Sequence, residues 1–419
     1  MRPAKRGRGR LAIVSDQGYR RGEAGYRDIT WALFAAGMAT FVAMYAAQAV
    51  LPELSDEFSV GPATSALAVS ATTGTLALAI VPASALSERF GRVRVMASAA
   101  LASALLGCLV PLAPSMGVLL TIRGLQGVCF AGIPATAMAY LAEEVDPEHL
   151  GGAMGRYIAG TTVGGLSGRV LAAFVLDHSG WRWALEAAGL AALAFTGLFL
   201  WKAPASRSFV RAPVGLRTTT ANVVGHLRNG RLIALYLTAF LLMGGFVAVY
   251  NMLGFRLIAA PFHLPQSAVG LVFLLYLAGT VSSAAAGRLA DRFGRKPVLV
   301  VSEIVAVLGL LITLPAALTA VLIGVLLFTA GFFAAHSVAS GWVGAIASEH
   351  RAEASALYLF AYYFGSSVLG ALAGVWFTAD GWNGVVVYVA ALFGLALAFA
   401  AIIPLLRRRR AARSEPGVL

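Results

Sequence analysis

The chain has 419 residues, 59% of them hydrophobic and only 12% charged, with a mean hydropathy of +0.80. A soluble protein of this length would carry about twice that charge, so a water-soluble enzyme or a soluble binding domain is excluded. The formal net charge of +13 does not imply nucleic acid, because most Lys and Arg residues stand in the termini and in alternate loops, as the positive-inside rule requires.

Residues 1–29 are basic and lack a long apolar core, so they read as a disordered cytoplasmic tail rather than a cleaved signal. Apolar runs long enough to cross roughly 30 Å of hydrocarbon as helices then predict six spans, at 30–51, 64–86, 93–112, 115–141, 150–176 and 183–201. A polar, basic stretch at 203–230 carries Pro204, Pro213, Arg207, Arg211, Arg217 and Arg228. Six more spans follow at 231–254, 267–287, 297–315, 318–346, 353–376 and 383–406, and the tail 407–419 opens on four arginines. The expected organisation is an all-α membrane protein of twelve helices. It has a six-helix bundle at 30–202, a linker at 203–230 and a second bundle at 231–406. Even-numbered loops and tails hold most of the basic residues, while the odd-numbered loops hold Arg182 and Arg256 beside Glu53, Asp56, Glu57, Asp177 and Asp380. Both termini and the linker are therefore expected in the cytoplasm. Cys108 and Cys129 lie inside apolar runs and form no disulfide framework or metal-ligand spacing.

The two bundles repeat each other. Ser84-Ala-Leu-Ser-Glu88-Arg89-Phe90-Gly91-Arg92-Val93-Arg94 answers Gly287-Arg-Leu-Ala-Asp291-Arg292-Phe-Gly294-Arg295-Lys296-Pro297. Ahead of them Phe41–Tyr45 answers Phe246–Tyr250; beyond them Tyr157, Gly164 and Gly180-Trp181 answer Tyr358, Gly365 and Gly381-Trp382. A long-period internal repeat of this kind is a duplicated membrane unit. On the fifth helix Gly160, Gly164 and Gly168 recur at four-residue spacing, a face that lets another backbone approach closely.

The Gly287–Pro297 segment resembles the loop signature of the major facilitator superfamily, Gly-x-Leu-Ala-Asp-Arg-x-Gly-Arg-Lys. The likeness covers essentially the whole chain after the first tail. Within the superfamily the chain is similar to the proton-coupled efflux branch of drug and metabolite antiporters. In particular it resembles bacterial inner-membrane transporters of the YnfM type, through Gly331–Ser340 and Tyr358–Tyr363. In the first loop copy Ser84, Glu88 and Val93 replace the signature's Gly, Asp and Lys. On the fifth helix Gly165 and Arg169 stand where the antiporter signature has Pro and Gly. The resemblance implies alternating access between two six-helix bundles with no cofactor; uptake by proton symport and a non-transporting sensor on the same fold are the alternatives, and no nucleophile–base or metal constellation points to an enzyme. The resemblance also implies a monomer in the inner membrane whose partners are a small-molecule substrate, protons and lipid.

Candidate residues follow in groups. The loop carboxylates Asp291 and Glu88, with Arg89, Gly91, Arg92, Gly287, Arg292, Gly294, Arg295 and Lys296, can pair in one conformation and separate in the other, or merely enforce topology. Arg123, in Arg123-Gly-Leu-Gln126-Gly, resembles the superfamily's Arg-x-x-Gln-Gly signature, linked to proton coupling. It stands seven residues in from Met116, or roughly 10 Å deep, where an Arg needs a partner or water. Arg169 at similar depth either faces the cavity, snorkels or pairs with Glu186. His336 titrates near neutral pH when unperturbed, or sits neutral against a Ser or a carbonyl. Tyr45, Gln48, Gln126, Tyr250, Asn251, Trp342, Tyr358 and Tyr362 are candidates for the substrate cavity, and Glu303 is near enough to a helix end to snorkel. The absence of a Walker-type glycine loop disfavours ATP-driven transport.

Overall fold

The computed structural model describes residues 18–207, 209, 216–347 and 350–403. Among them nine helical stretches are long and apolar enough to cross a membrane. Two of these are double spans, and Arg295–Ile312, whose first turn carries Arg295 and Lys296, completes the twelve.

The spans of the first half are α1 (Ala24–Glu57), α2 (Pro62–Phe90), α3 (Arg92–Leu112), α4 (Met116–Glu144), α5 (147–179) and α6 (181–202). The second half contains α7 (Gly230–Ile258), α8 (Gln266–Phe293), α9 (Arg295–Ile312), α10 (Leu318–Ile346), α11 (351–379) and α12 (382–402). The linker itself contains a helix, Leu216–Leu227. The α5–α6 pair is one helical run, Pro147–Lys202, broken at Gly180, where φ is +81°. The run Arg351–Ile402 is broken likewise at Gly381, where φ is +55°. Single glycines also turn α2 into α3 and α8 into α9, at Gly91 and Gly294, with φ of +101° and +87°. A left-handed φ is freely available only to glycine, so the same two turns recur in both halves for one reason.

Close packing follows the glycine stripe. A Cβ at Gly160, Gly164 or Gly168 would come within 2.4 Å of the Phe34 carbonyl, 2.9 Å of Met38 Cα or 2.3 Å of the Val42 carbonyl, so α5 lies directly on the α1 backbone. In the second half, Gly365 of α11 meets α7 at Phe240 in the same way.

Some boundaries differ from the sequence expectation. Residues 18–29 are not tail: Tyr19 pairs with the chain at Glu144 and Asp146, the Arg20 guanidinium holds Asp146 at 2.9 Å, and α1 starts at Ala24. The Glu148 N–H and Arg20 together hold the Asp146 carboxyl below its usual range. The first residues of the linker are also fixed, since the Tyr140 hydroxyl donates to the Pro204 carbonyl at 2.6 Å and the Arg207 N–H to Glu144 at 2.7 Å. The expected tails 1–17 and 407–419 and linker residues 208 and 210–215 lie outside the described residues.

Candidate functional site

Arg123 is 2% exposed and has no carboxylate partner among the described residues. Its Nε donates to the Ala68 carbonyl of α2 at 2.9 Å. Nη1 donates to the Ala43 carbonyl and to Gln126 Oε1, at 3.0 and 2.7 Å, and Nη2 to the Met44 carbonyl at 2.6 Å. The reason lies in α1, whose regular helix ends at Ala46 and continues as the tighter turn Ala47–Val50. Carbonyls in the last turn of a helix lack intrahelical partners and favour a cation. Arg123 thus caps an interrupted helix from the side. Gln126 completes the arrangement by donating to the Ser103 carbonyl at 2.9 Å.

Arg169 is 3% exposed; it neither snorkels nor pairs with Glu186. Its Nε donates to Gln48 Oε1 at 2.7 Å, Nη1 to the Gly165 carbonyl and Nη2 to the Tyr276 hydroxyl of the other half at 3.3 Å. The guanidinium lies 4.2 and 4.6 Å from the ring centroids of Tyr45 and Tyr276, a contact that strengthens when dry. Gln48 in turn donates to Asn251 Oδ1 at 2.7 Å, and Asn251 to the Gly370 carbonyl at 3.3 Å. An arginine and two amides therefore tie α5, α1, α7 and α11 together across the two halves, with every charge met by a neutral acceptor or a ring face.

All hydrogen bonds that cross between the halves among described residues fall on this side or near mid-depth. Asp177, at the end of α5, accepts from the N–H groups of Gln266 and Ser267 at 2.8 and 2.7 Å, so one half caps the first turn of α8 in the other. Ser367 of α11 donates to the Ser70 carbonyl of α2 at 2.7 Å, and Gly374 presses against the Ala63 backbone. On the linker side no hydrogen bond joins described residues of the two halves. Asp177 was read in the sequence only as a topology charge and Tyr276 and Phe273 were not singled out, and their partners lie too far along the chain for any local pattern to reveal.

Beyond Arg169 an aromatic ladder runs through the second half. Phe273, Tyr250 and Tyr276 contact each other, and Phe246 stacks on Phe332 at 3.8 Å. His336 follows, with Tyr362 at 4.6 Å. The Tyr250 hydroxyl bonds Thr329 at 2.7 Å. The Tyr358 hydroxyl lies 3.0 Å from His336 Nδ1, so His336 is held by a tyrosine, and not by Ser337 or Ser340. Phe333, His336, Trp342 and Tyr362 remain partly exposed, whereas Tyr45, Gln48, Gln126, Tyr250, Asn251 and Tyr358 are buried.

The repeated loops differ in their pairing. Arg92 donates from Nε and Nη2 to Glu143, at 3.0 and 2.8 Å, and from Nη1 to Ser87, clamping α3 to α4 within the first half. Glu88 and Asp291 make no ion pair with described residues, and the whole segment 287–297 is exposed apart from partly covered Ala290. Arg89 and Arg292 lie over their neighbouring Phe90 and Phe293 rings. Glu303 does not snorkel. It is fully buried, because the stripe Leu299, Ser302, Glu303, Ala306 and Leu310 is the buried face of α9.

The profile of the Major Facilitator Superfamily matches residues 33–257 and 235–418. The chain is 42% identical over 383 residues to the inner membrane transport protein YnfM of Escherichia coli, covering 91% of this chain and 92% of YnfM. It is 38% identical over 367 residues to the MFS-type transporter YybF of Bacillus subtilis, covering 88% and 91%. Among solved structures, a bacterial homolog of the human lysosomal transporter Spinster, in its inward-facing and occupied conformation, superposes with a TM-score of 0.74 at 16% identity, covering 92% of this chain and 98% of that one.

Proposed function

Because the chain belongs to the major facilitator superfamily and is a multi-pass membrane transporter, we propose that it exports small, uncharged aromatic compounds from the cytoplasm, driven by an inward flow of protons. The observation that carries this reading is the one-sided closure of the molecule. The halves are joined by Arg169–Gln48–Asn251, Asp177 and Ser367 on one side and share no hydrogen bond between described residues on the other. That is one state of an alternating-access cycle. The side without those bonds carries the linker and the basic loops, and the charge rule assigns it to the cytoplasm; the state then reads as the one that loads substrate from within.

The substrate class follows from what remains available. Both deep arginines are already met by carbonyls, amides and rings, so neither offers a free cation to an anionic ligand. The partly exposed side chains next to the closure are Phe333, His336 and Tyr362, which suit flat apolar molecules through stacking better than they suit hydroxyl-rich sugars. A 28% likeness to the multidrug resistance protein MdtG of Klebsiella pneumoniae, over 59% of this chain, agrees with drug-like cargo.

The test is dye transport in everted vesicles from a strain lacking its own exporters, with N-phenylnaphthylamine as the neutral aromatic probe. Acidifying the vesicle interior should drive dye uptake only when the protein is present. Uptake that ignores the pH difference, or runs in the opposite direction, overturns the proposed coupling.

A further inference from the structure

The first half of the repeat has Ala100 where the second has Glu303, both aligned eight residues after the arginine that follows the glycine turn. The duplicated architecture therefore does not need a carboxyl group there. Yet Glu303 is fully buried, about 12 Å from the start of α9 by helical rise, and neither of its carboxyl oxygens has a hydrogen-bond partner. No ion pair reaches it among the described residues. Of the titratable groups on the helices packed against α9, including Asp291 of α8, His336 of α10 and Glu353, Tyr358 and Tyr362 of α11, none hydrogen-bonds Glu303. An ionised carboxylate in such a place costs several kcal/mol, and the neutral acid does not.

We propose that Glu303 is the binding site for the coupling proton, occupied in this conformation; this rests on the proton-coupled reading above. The transfer conserves one proton. Because the carboxyl has no hydrogen-bond partner in the closed packing, the Glu303 O–H bond breaks only once water reaches it, and that water carries the proton away. Glu303 is left as a carboxylate, and its burial is tolerable only after α9, α10 and α11 shift to admit water or a donor. Proton release and conformational change are linked because the deprotonated form does not fit the closed packing.

Infrared titration of the purified full-length protein tests the site without any substrate. The parent should show a protonated carboxyl band at pH 7 that is absent from Glu303→Gln, an isosteric change that preserves the packing. Glu303→Asp should restore a band that titrates at a different pH. If Gln does not fold, the Asp shift alone decides. Identical carboxyl spectra in parent and variants would overturn the assignment. Dye uptake in vesicles then separates the two readings. A parent with the band but no response to a pH difference overturns coupling while leaving Glu303 a proton site. A Gln variant as responsive to the pH difference as the parent removes Glu303 from the coupling.

Discussion

Asp177 gives the most direct handle on the conformational equilibrium. Its two carboxylate oxygens accept from Gln266 and Ser267 at the start of α8, a bond pair that exists only while the halves touch on that side. Replacing a helix N-cap acceptor by Ala costs about 0.5–2 kcal/mol. Asp177 is exposed, so solvent screening argues for the lower half of that range. A loss of about 1 kcal/mol confined to one state multiplies the population of the other roughly fivefold. Asp177→Ala should therefore leave the helical content intact and enlarge the state open on the Asp177 side. Spin labels at Asp56 and Ala379, at the ends of α1 and α11 on that side, would report it as growth of a long-distance component. Unchanged distance distributions would mean that the cap decorates the closure without holding it.

Gly168→Ala should lower the thermal midpoint, since its Cβ would stand 2.3 Å from the Val42 carbonyl and displacing a packed backbone costs about 1–3 kcal/mol. Gly155→Ala, with nothing within 4 Å, should be neutral or mildly stabilising; equal losses from both would refute the packing argument. Arg123→Lys keeps the charge but cannot span Ala43, Met44 and Ala68 together. At least one buried carbonyl is orphaned at about 1–3 kcal/mol, and a thermal midpoint matching the parent would show that the clamp contributes little. Asp291→Asn should leave the midpoint of this form untouched, because Asp291 has no ion pair here, while slowing dye transport if the other state uses it. A cysteine at Lys296 should resist impermeant thiol reagents in intact cells while one at Asp56 reacts, and the reverse labelling would invert the assigned topology.

The spans were legible because hydropathy over twenty residues needs no knowledge of partners, and the duplication was legible because both glycine turns kept their flanking charges. The partners of the deep arginines were not. Arg123 is satisfied chiefly by backbone carbonyls, which every sequence supplies at every position, and the local end of the α1 helix at Ala46 has no proline or glycine to announce it. The Arg169–Gln48–Asn251 chain joins residues 121 and 203 apart, beyond any periodicity. Glu303 was misread for a correctable reason. Its nearness to a helix end suggested snorkelling, whereas the spacing of Leu299, Ser302, Ala306 and Leu310 already put it on the inward stripe. Residues 18–29 looked like tail because their charge dominates composition, and the backbone pairing of Tyr19 with Glu144 and Asp146 leaves no compositional trace.

The single-glycine turns limit how the molecule can move. One residue reaches at most about 3.6 Å, so the ends of α5 and α6 joined by Gly180 cannot separate, nor can those of α2 and α3 at Gly91, α8 and α9 at Gly294, or α11 and α12 at Gly381. Kinematically, each half contains two welded hairpins, one capped at each face, and only α1, α4, α7 and α10 have longer leashes. A passage on the Asp177 side cannot open by splaying α5 from α6 or α11 from α12. It has to appear between the halves, with the displacement absorbed by the connectors at 58–61 and 259–265. Those four single spans, none joined to a neighbour by a lone glycine, are the ones able to tilt or slide within a half that is otherwise geometrically locked.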